Sequence, residues 1–337
     1  MFFGFDDDQL AFRDAARDLF DKQCPPEVVR AAGEAPPGTL DRAVWDRLVE
    51  MGVPATLVPE AAGGLGLDEQ ALVLVLEEAG RAGLPHPLVD TAAVAAPLHE
   101  LARESGAMRS ERAPVREVGM IVATDLGGPH VACAADADWL LLHDPEGGGL
   151  HLVDPAAVTL TPVVTVDRAR RAATVAWRPG PATLVTDDPA AVAAARDRGA
   201  WATAAVLIGL GQRMLDMTVA YVAERRQFGV PVGSFQAVKH HLADALKDLA
   251  FARPAVWRAA HSLATGAASA ARDVSMAKAL ASDAAWLVGR QALQCHGAIG
   301  YTVEHDLQLY LKRTWALATA WGDAAGHRER VATAIGI

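Results

Sequence analysis

The chain has 337 residues, of which 51% are hydrophobic and 21% charged, and a formal net charge of −10. Its length and composition fit a globular chain with a large core and about two or three domains. The acidic balance, with no basic run long enough to track a phosphate backbone, excludes nucleic acid as an expected partner. Cys24, Cys133 and Cys295 lie far apart in no metal-ligand spacing and read as reduced thiols of a cytoplasmic protein. The start, MFFGFDDDQ, lacks a basic leader, and no run of about eighteen apolar residues occurs. Neither a signal peptide nor a membrane span is therefore expected.

Residues 6–8 offer an N-cap and an acidic first turn for a helix through Leu10, Phe12, Ala16, Leu19 and Phe20, ended by Cys24, Pro25 and Pro26. Asp41 caps a second helix carrying Val44, Trp45, Leu48 and Val49, closed by Gly52. A Gly-rich loop at 59–66 follows no clear strand and lacks the lysine of a phosphate-binding loop. A third helix is expected over 68–80, with Leu72, Val75, Leu76 and Ala79 on one face. Beyond Pro85 and Pro87 an Ala/Leu-rich helix is expected to about Leu101. From 115 to 184 the pattern changes to short β-branched runs: MIVAT, HVACAA, DWLLLH, LHLVD, VTLTPVVTV and AATVAW. They predict a small sheet or barrel of about six strands between two helical parts.

Helical periodicity returns from Pro189. Leu207, Leu210, Met214, Met217 and Tyr221 form one stripe, and Val238, Leu242, Ala245, Leu249, Ala252 and Val256 a second, with Pro254 as a kink. Ala277, Leu280, Ala284 and Leu287 form a third, and a last pair of helices covers 307–319 and 325–335. Such stripes with short connections make an antiparallel bundle. The predicted class is mostly α with an inserted small β-domain, divided at 1–112, 113–186 and 187–337.

Residues 224–244 read ERRQFGVPVGSFQAVKHHLAD, a helix end, a Gly/Pro turn and a new helix. Two arginines there could hold a polyphosphate, because guanidinium forks bind phosphate oxygens bidentately. Spacing alone favours a solvated basic helix end. His240 and His241 form no metal set and read as ordinary helix residues, and no Gly-x-Ser-x-Gly elbow occurs.

Two longer stretches, GLGQRMLDMTVAYVAERRQFGVPVGSFQAVKHHLAD and QALQCHGAIGYTVE, resemble the acyl-CoA dehydrogenases, as do VPEAAGGLGL and VLEEAGRAG near the start. The resemblance covers nearly the whole chain. It implies an N-terminal helical domain, a middle β-domain and a C-terminal four-helix bundle, with FAD lying between subunits. It further implies that Arg225 contacts the diphosphate of a neighbour's FAD and that Gln294 reaches its adenine half. Gln227, Phe228 and Gln236 take supporting places, with Cys295, Gly297 and Ala298 in the turn after Gln294. Ala298 stands where the family has its second glycine, which narrows the backbone approach.

Three departures from the family pattern stand out. Ala320-Trp321-Gly322-Asp323 occupies the place of the segment bearing the family's catalytic glutamate, with Trp321 at the carboxylate's position. The alternative place for that base, near the start of the bundle's first helix, holds Gly199-Ala200. The Thr-Glu-Pro-x-x-Gly-Ser-Asp and Trp-x-x-Asn-Gly stretches that contact the flavin have no counterpart in 115–177. This is the pattern expected of the small subunit of actinobacterial α2β2 enzymes acting on steroid side-chain CoA thioesters, which the chain resembles in length and in the ending Gly322, Asp323, His327 and Arg328. It implies an FAD site shared with a larger dehydrogenase subunit, no catalytic residue on this chain, an acyl-CoA substrate and an electron-transfer flavoprotein as acceptor. The alternatives are a self-sufficient homo-oligomer using Asp323 as base and a structural subunit without cofactor.

Overall fold

The structure, a computed structural model, describes residues 4–98 and 119–337. Helix α1 (Asp7–Gln23) starts on a capping box in which Asp6 and Gln9 satisfy each other's backbone amides. Helix α2 (Pro26–Glu34) was not expected. Pro25 and Pro26 read only as a stop, yet a proline in the first turn sacrifices an amide that has no helical partner anyway. Helix α3 (Ala43–Glu50) begins where the Asp41 carboxylate accepts from Ala43 N at 2.9 Å. Helix α4 (Glu69–Ala82) is capped by Asp68 and closed by left-handed Gly83. Next comes a π-helical segment, Val89–Ala95, where an ordinary helix was expected. The expected end of that helix near residue 101 and the boundary at 112/113 lie outside the described residues.

The β part holds a four-stranded sheet of order β1-β2-β3-β6 and a separate ribbon, β4-β5. Strand β1 (Val122–Thr124) runs parallel to β2 (Trp139–His143), and β3 (Leu150–Val153) antiparallel to β2, with Leu140 opposite Val153. The ribbon pairs β4 (Thr159–Pro162) with β5 (Ala173–Ala176), Leu160 opposite Val175. Two strand expectations need correction. Residues 130–135 form turns, with a single bridge from Val131 to Ala173, because Cys133 adopts a left-handed φ of 54° that no strand accommodates. Strand β6 (Leu184–Thr186) was missed; it lies where the expected β region ends.

Helix α5 (Pro189–Glu224) spans 36 residues and is buried on all sides from Gly199 to Gly211. It is long and apolar enough to cross a membrane, but 61% of its most apolar window is buried inside the protein. Its neighbours are α4, α6 (Gln236–Ala264), α7 (Ala270–His296) and α8 (Leu307–Thr319); α9 (Ala324–Ile335) follows. Helix α6 continues through Pro254. On α7 the third expected stripe is displaced: Leu280 is 43% exposed, and the buried line runs through Val274, Ala277, Ala281, Ala285 and Val288.

Helices α4 and α5 meet backbone to backbone. A Cβ at Gly80 would lie 2.1 Å from the Val206 carbonyl oxygen, and one at Gly209 only 1.8 Å from that of Glu77. Neither obstacle is a side chain that can swing away. Gly209→Ala is expected to lower the thermal unfolding midpoint, with a loss of at least about 1–3 kcal/mol as for other overpacked cores. An unchanged midpoint in differential scanning calorimetry would refute the contact.

Candidate functional site

Helix α5 ends at Glu224, and Arg225 leaves it in extended conformation, its amide donating to Tyr221 O at 2.8 Å. A short hairpin follows, β7 (Arg226–Gln227) paired with β8 (Val230–Pro231). Its two-residue turn, Phe228-Gly229, has positive φ at both positions (50° and 81°), the geometry that matches strand twist in tight hairpins. Phe228 is 93% exposed at the tip and meets Phe235 edge-on at 6.2 Å. Val232 N donates to Arg225 O at 2.7 Å, fixing the base of the hairpin. Helix α6 then starts at Gln236 with no side chain capping its first amides.

An open cleft of about 410 Å³ lies between these pieces and the end of α7. Tyr221, Arg225 and Gln227 line one side, Ala237, Val238 and His241 of α6 another, and Gln294 to Ala298 the third. Arg225 and Gln294 are exposed, and the Arg225 guanidinium makes no ion pair or hydrogen bond among the described residues. Gly297, at φ 64°, has open space where a Cβ would stand. Six of the eight expected residues thus surround one cleft: Arg225, Gln227, Gln294, Cys295, Gly297 and Ala298. Phe228 projects from the hairpin tip and exposed Gln236 sits at the start of α6, both outside the lining. The sequence reading took His241 as an ordinary helix residue and gave His296, within the helix end at 294–297, no role of its own. The signal for His241 was its position four residues after Ala237, on the same helix face.

The second region surrounds Trp321. Its φ is 60°, its amide donates to Gly127 O at 2.9 Å, and its carbonyl accepts from His327 Nε2 at 2.9 Å. The indole lies on Gly199, where a Cβ would fall 2.3 Å from the ring. The buried Lys278 ammonium donates to Gly322 O (2.9 Å), Ala318 O (3.1 Å) and Ser282 Oγ (3.1 Å), tying the turn to α7. Asp323 Oδ1 accepts from Gly326 N at 2.8 Å and so caps α9.

Residues 6–107 match the family described as the acyl-CoA dehydrogenase N-terminal domain and residues 190–336 the C-terminal domain. The chain belongs to the acyl-CoA dehydrogenase family. It is 36% identical to acyl-CoA dehydrogenase IpdE2 of Mycolicibacterium smegmatis, over 92% of this chain and 93% of that protein. Among solved structures it superposes on a variant of the Tcur3481–Tcur3483 steroid ACAD with a TM-score of 0.84 and 26% identity, covering 98% of each chain. The ChsE4–ChsE5 complex of Mycobacterium tuberculosis shares the fold, with a TM-score of 0.87 at 23% identity over 100% of this chain and 99% of that one.

In this acyl-CoA dehydrogenase chain Trp321 also walls a cavity of about 80 Å³, with His86, Asp90, Cys133, Arg170 and Thr203 among its lining. Burial pushes the Asp90 carboxyl up to about 7, against the opposing hydrogen bond from Thr124 N (3.2 Å) and the nearby Arg170. Because the folded value lies above the unfolded one, the stability this group contributes is present below about pH 4 and is lost as pH rises through about 7. Asp90→Asn is therefore expected to gain thermal stability relative to the native chain at pH 8 compared with pH 5. Unfolding midpoints at both pH values check this, and an equal difference at the two would show that Asp90 is ionised throughout.

Proposed function

We propose that this chain is a subunit of a heteromeric FAD-dependent acyl-CoA dehydrogenase, lends its cleft to the dinucleotide held by a larger partner subunit, and carries no catalytic base. The observation behind this reading is the Trp321 indole seated on Gly199. These are the two places where the family carries its glutamate, and neither side chain can take a proton from carbon. Asp323, the nearest carboxylate in sequence, is engaged as the cap of α9. That disfavours a self-sufficient enzyme using Asp323.

The length of α5 supports sharing. Gly199 and Arg225 are separated by 26 residues, or roughly 40 Å of helix at about 1.5 Å per residue. A cleft at Arg225 therefore cannot complete a reaction site at Gly199 of the same chain, and serves a neighbour. The residues present fit a dinucleotide. Arg225 offers an unpaired guanidinium fork to the diphosphate, Gln294 an amide to the adenine half, and Gly297 close backbone access. Gln227, Cys295 and Ala298 complete the wall, while Phe228 and Gln236 contact the partner beside it. A cofactor-free structural subunit would have no use for a solvent-facing cationic cleft of this make-up.

When bound, FAD supplies the hydride acceptor for oxidation of an acyl-CoA thioester to the trans-2-enoyl-CoA. The carboxylate that takes the α-proton comes from the larger subunit, and electrons leave to an electron-transfer flavoprotein. The likeness to a protein described as a steroid ACAD supports a bulky, steroid-derived acyl group. One reaction site for every two chains leaves room for such a substrate.

Purified alone, the chain is expected to be colourless, and co-purified with its larger partner, yellow. Arg225→Ala should weaken FAD binding to the complex about 10- to 100-fold, the loss of a charge-assisted contact of about 1.5–3 kcal/mol. Trp321→Ala should leave turnover per bound flavin unchanged. Full flavin affinity in the Arg225→Ala complex, or turnover lost with Trp321→Ala, would overturn the reading.

A further inference from the structure

The cavity under Trp321 holds a charge without a partner. Arg170 ends the 3₁₀ turn Arg168–Arg170, and its guanidinium makes no ion pair or hydrogen bond among the described residues. Its neighbours are already engaged. Asp167 pairs with Arg313, which also donates to Leu84 O at 2.8 Å, and the Cys133 thiol donates to Pro85 O at 3.3 Å. Burial pushes the Arg170 guanidinium below its ordinary value, holds His86 down at about 4 and the Cys133 thiol up at about 12. Histidine and thiol are therefore neutral. With Asp90 protonated below about pH 7, the set of Arg170, Arg313, Asp167 and Asp90 carries one positive charge in excess. Buried charges are as a rule paired, because removal from water penalises a lone ion.

The groups that could meet a ligand border open space. Arg170 is only half-buried, and none of its side-chain nitrogens is sealed by packing. Asp90 Oδ2 accepts from Thr124 N at 3.2 Å, whereas Oδ1 has no partner among the described residues and is likewise not sealed. His86 Nδ1 and Thr203 Oγ1 also lack partners, but packed atoms close them off, so they take no part. Asp90 stands on the π-helical segment, a turn type frequent at functional sites. The rest of the lining is mostly apolar, with Leu84, Val89, Val206, Leu317 and Trp321 among it. A cavity of about 150 Å³ takes benzene, so one of about 80 Å³ has room for roughly three to five heavy atoms.

We infer that this cavity is a binding site for a two- or three-carbon monocarboxylate, its carboxylate held by Arg170 and Asp90 and its alkyl end against the apolar wall. The guanidinium fork matches two carboxylate oxygens. Asp90 supplies a further donor, since Oδ2 is taken by an amide and the proton belongs on Oδ1. A halide would leave the apolar wall unfilled, and bicarbonate would turn a hydroxyl against it. The site lies apart from the Arg225 cleft and is independent of the shared-flavin reading.

The test titrates the full chain with sodium propionate at about pH 6 and constant ionic strength, where Asp90 is protonated, followed by calorimetry and by the unfolding midpoint. One equivalent of propionate is expected to bind and to raise the midpoint. Propionamide has the same shape without the charge, and hexanoate is too long for the cavity. Each should bind at least about tenfold more weakly, and chloride should not displace propionate. Arg170→Gln should weaken propionate binding at least about tenfold, the loss of a charge-assisted pair. Asp90→Asn, whose amide still donates, should retain it. Should Arg170→Gln fail to fold, the ligand series on the native chain decides the matter. No saturable binding, equal binding of propionamide or hexanoate, displacement by chloride, or undiminished binding in Arg170→Gln would each overturn the inference.

Discussion

The backbone contact between α4 and α5 sets the geometry of the molecule. Gly80 and Gly209 let Val206 O and Glu77 O approach to distances that no other residue at those two positions allows. Close approach at two reciprocal points fixes both the separation and the rotation of the helices. The rotation of α5 then decides what each part of its length presents. Thr203 and Val206 face the cavity under Trp321, Gly199 receives the indole, and Tyr221 and Arg225 reach the open cleft. One rigid helix thus carries a closed site near one end and an open one at the other.

The periodic helices were legible because their buried faces repeat at helical spacing; α1, α4, α5, α6, α8 and α9 follow the expected pattern with small shifts of boundary. Helix α2 was hidden by its prolines. Strand existence was legible in the β-branched runs, and failed at β6, which lies at the end of the region they mark, and where the backbone at Cys133 turns left-handed. On α7 the expected stripe held buried Ala277 and Ala284, but its larger side chain Leu280 faces outward; mostly alanines form the buried line, since close-packed helices leave room for little else.

Arg225 and residues 294–297 stand at helix ends that fit a shared site, but only the family resemblance names a ligand for them. The cleft's members come from three helix ends separated by long stretches of chain, and no local spacing brings Arg225 and Gln294 together. His241 and His296 received no role because a single histidine on a helix carries no signal until its surroundings are known. The same holds for Trp321 and Gly199, which the sequence suggests separately as places lacking a carboxylate and which prove to touch.

That contact shows what closing the second site required. A tryptophan in left-handed conformation costs on the order of 1–3 kcal/mol, so the surroundings must impose it. They do so with the Gly127 carbonyl on its amide, His327 on its carbonyl and Lys278 on the next residue's carbonyl. The pocket for the ring exists only because residue 199 has no side chain. Indole and glycine are therefore interdependent: any side chain at 199 meets the ring, and removing the ring leaves a gap between the polar cavity and the groove containing Arg196 and Arg330. The segment is a packed joint between α5, α7 and the α8–α9 turn. Asp90 lies in the small cavity that Trp321 walls, where burial pushes its carboxyl up to about 7.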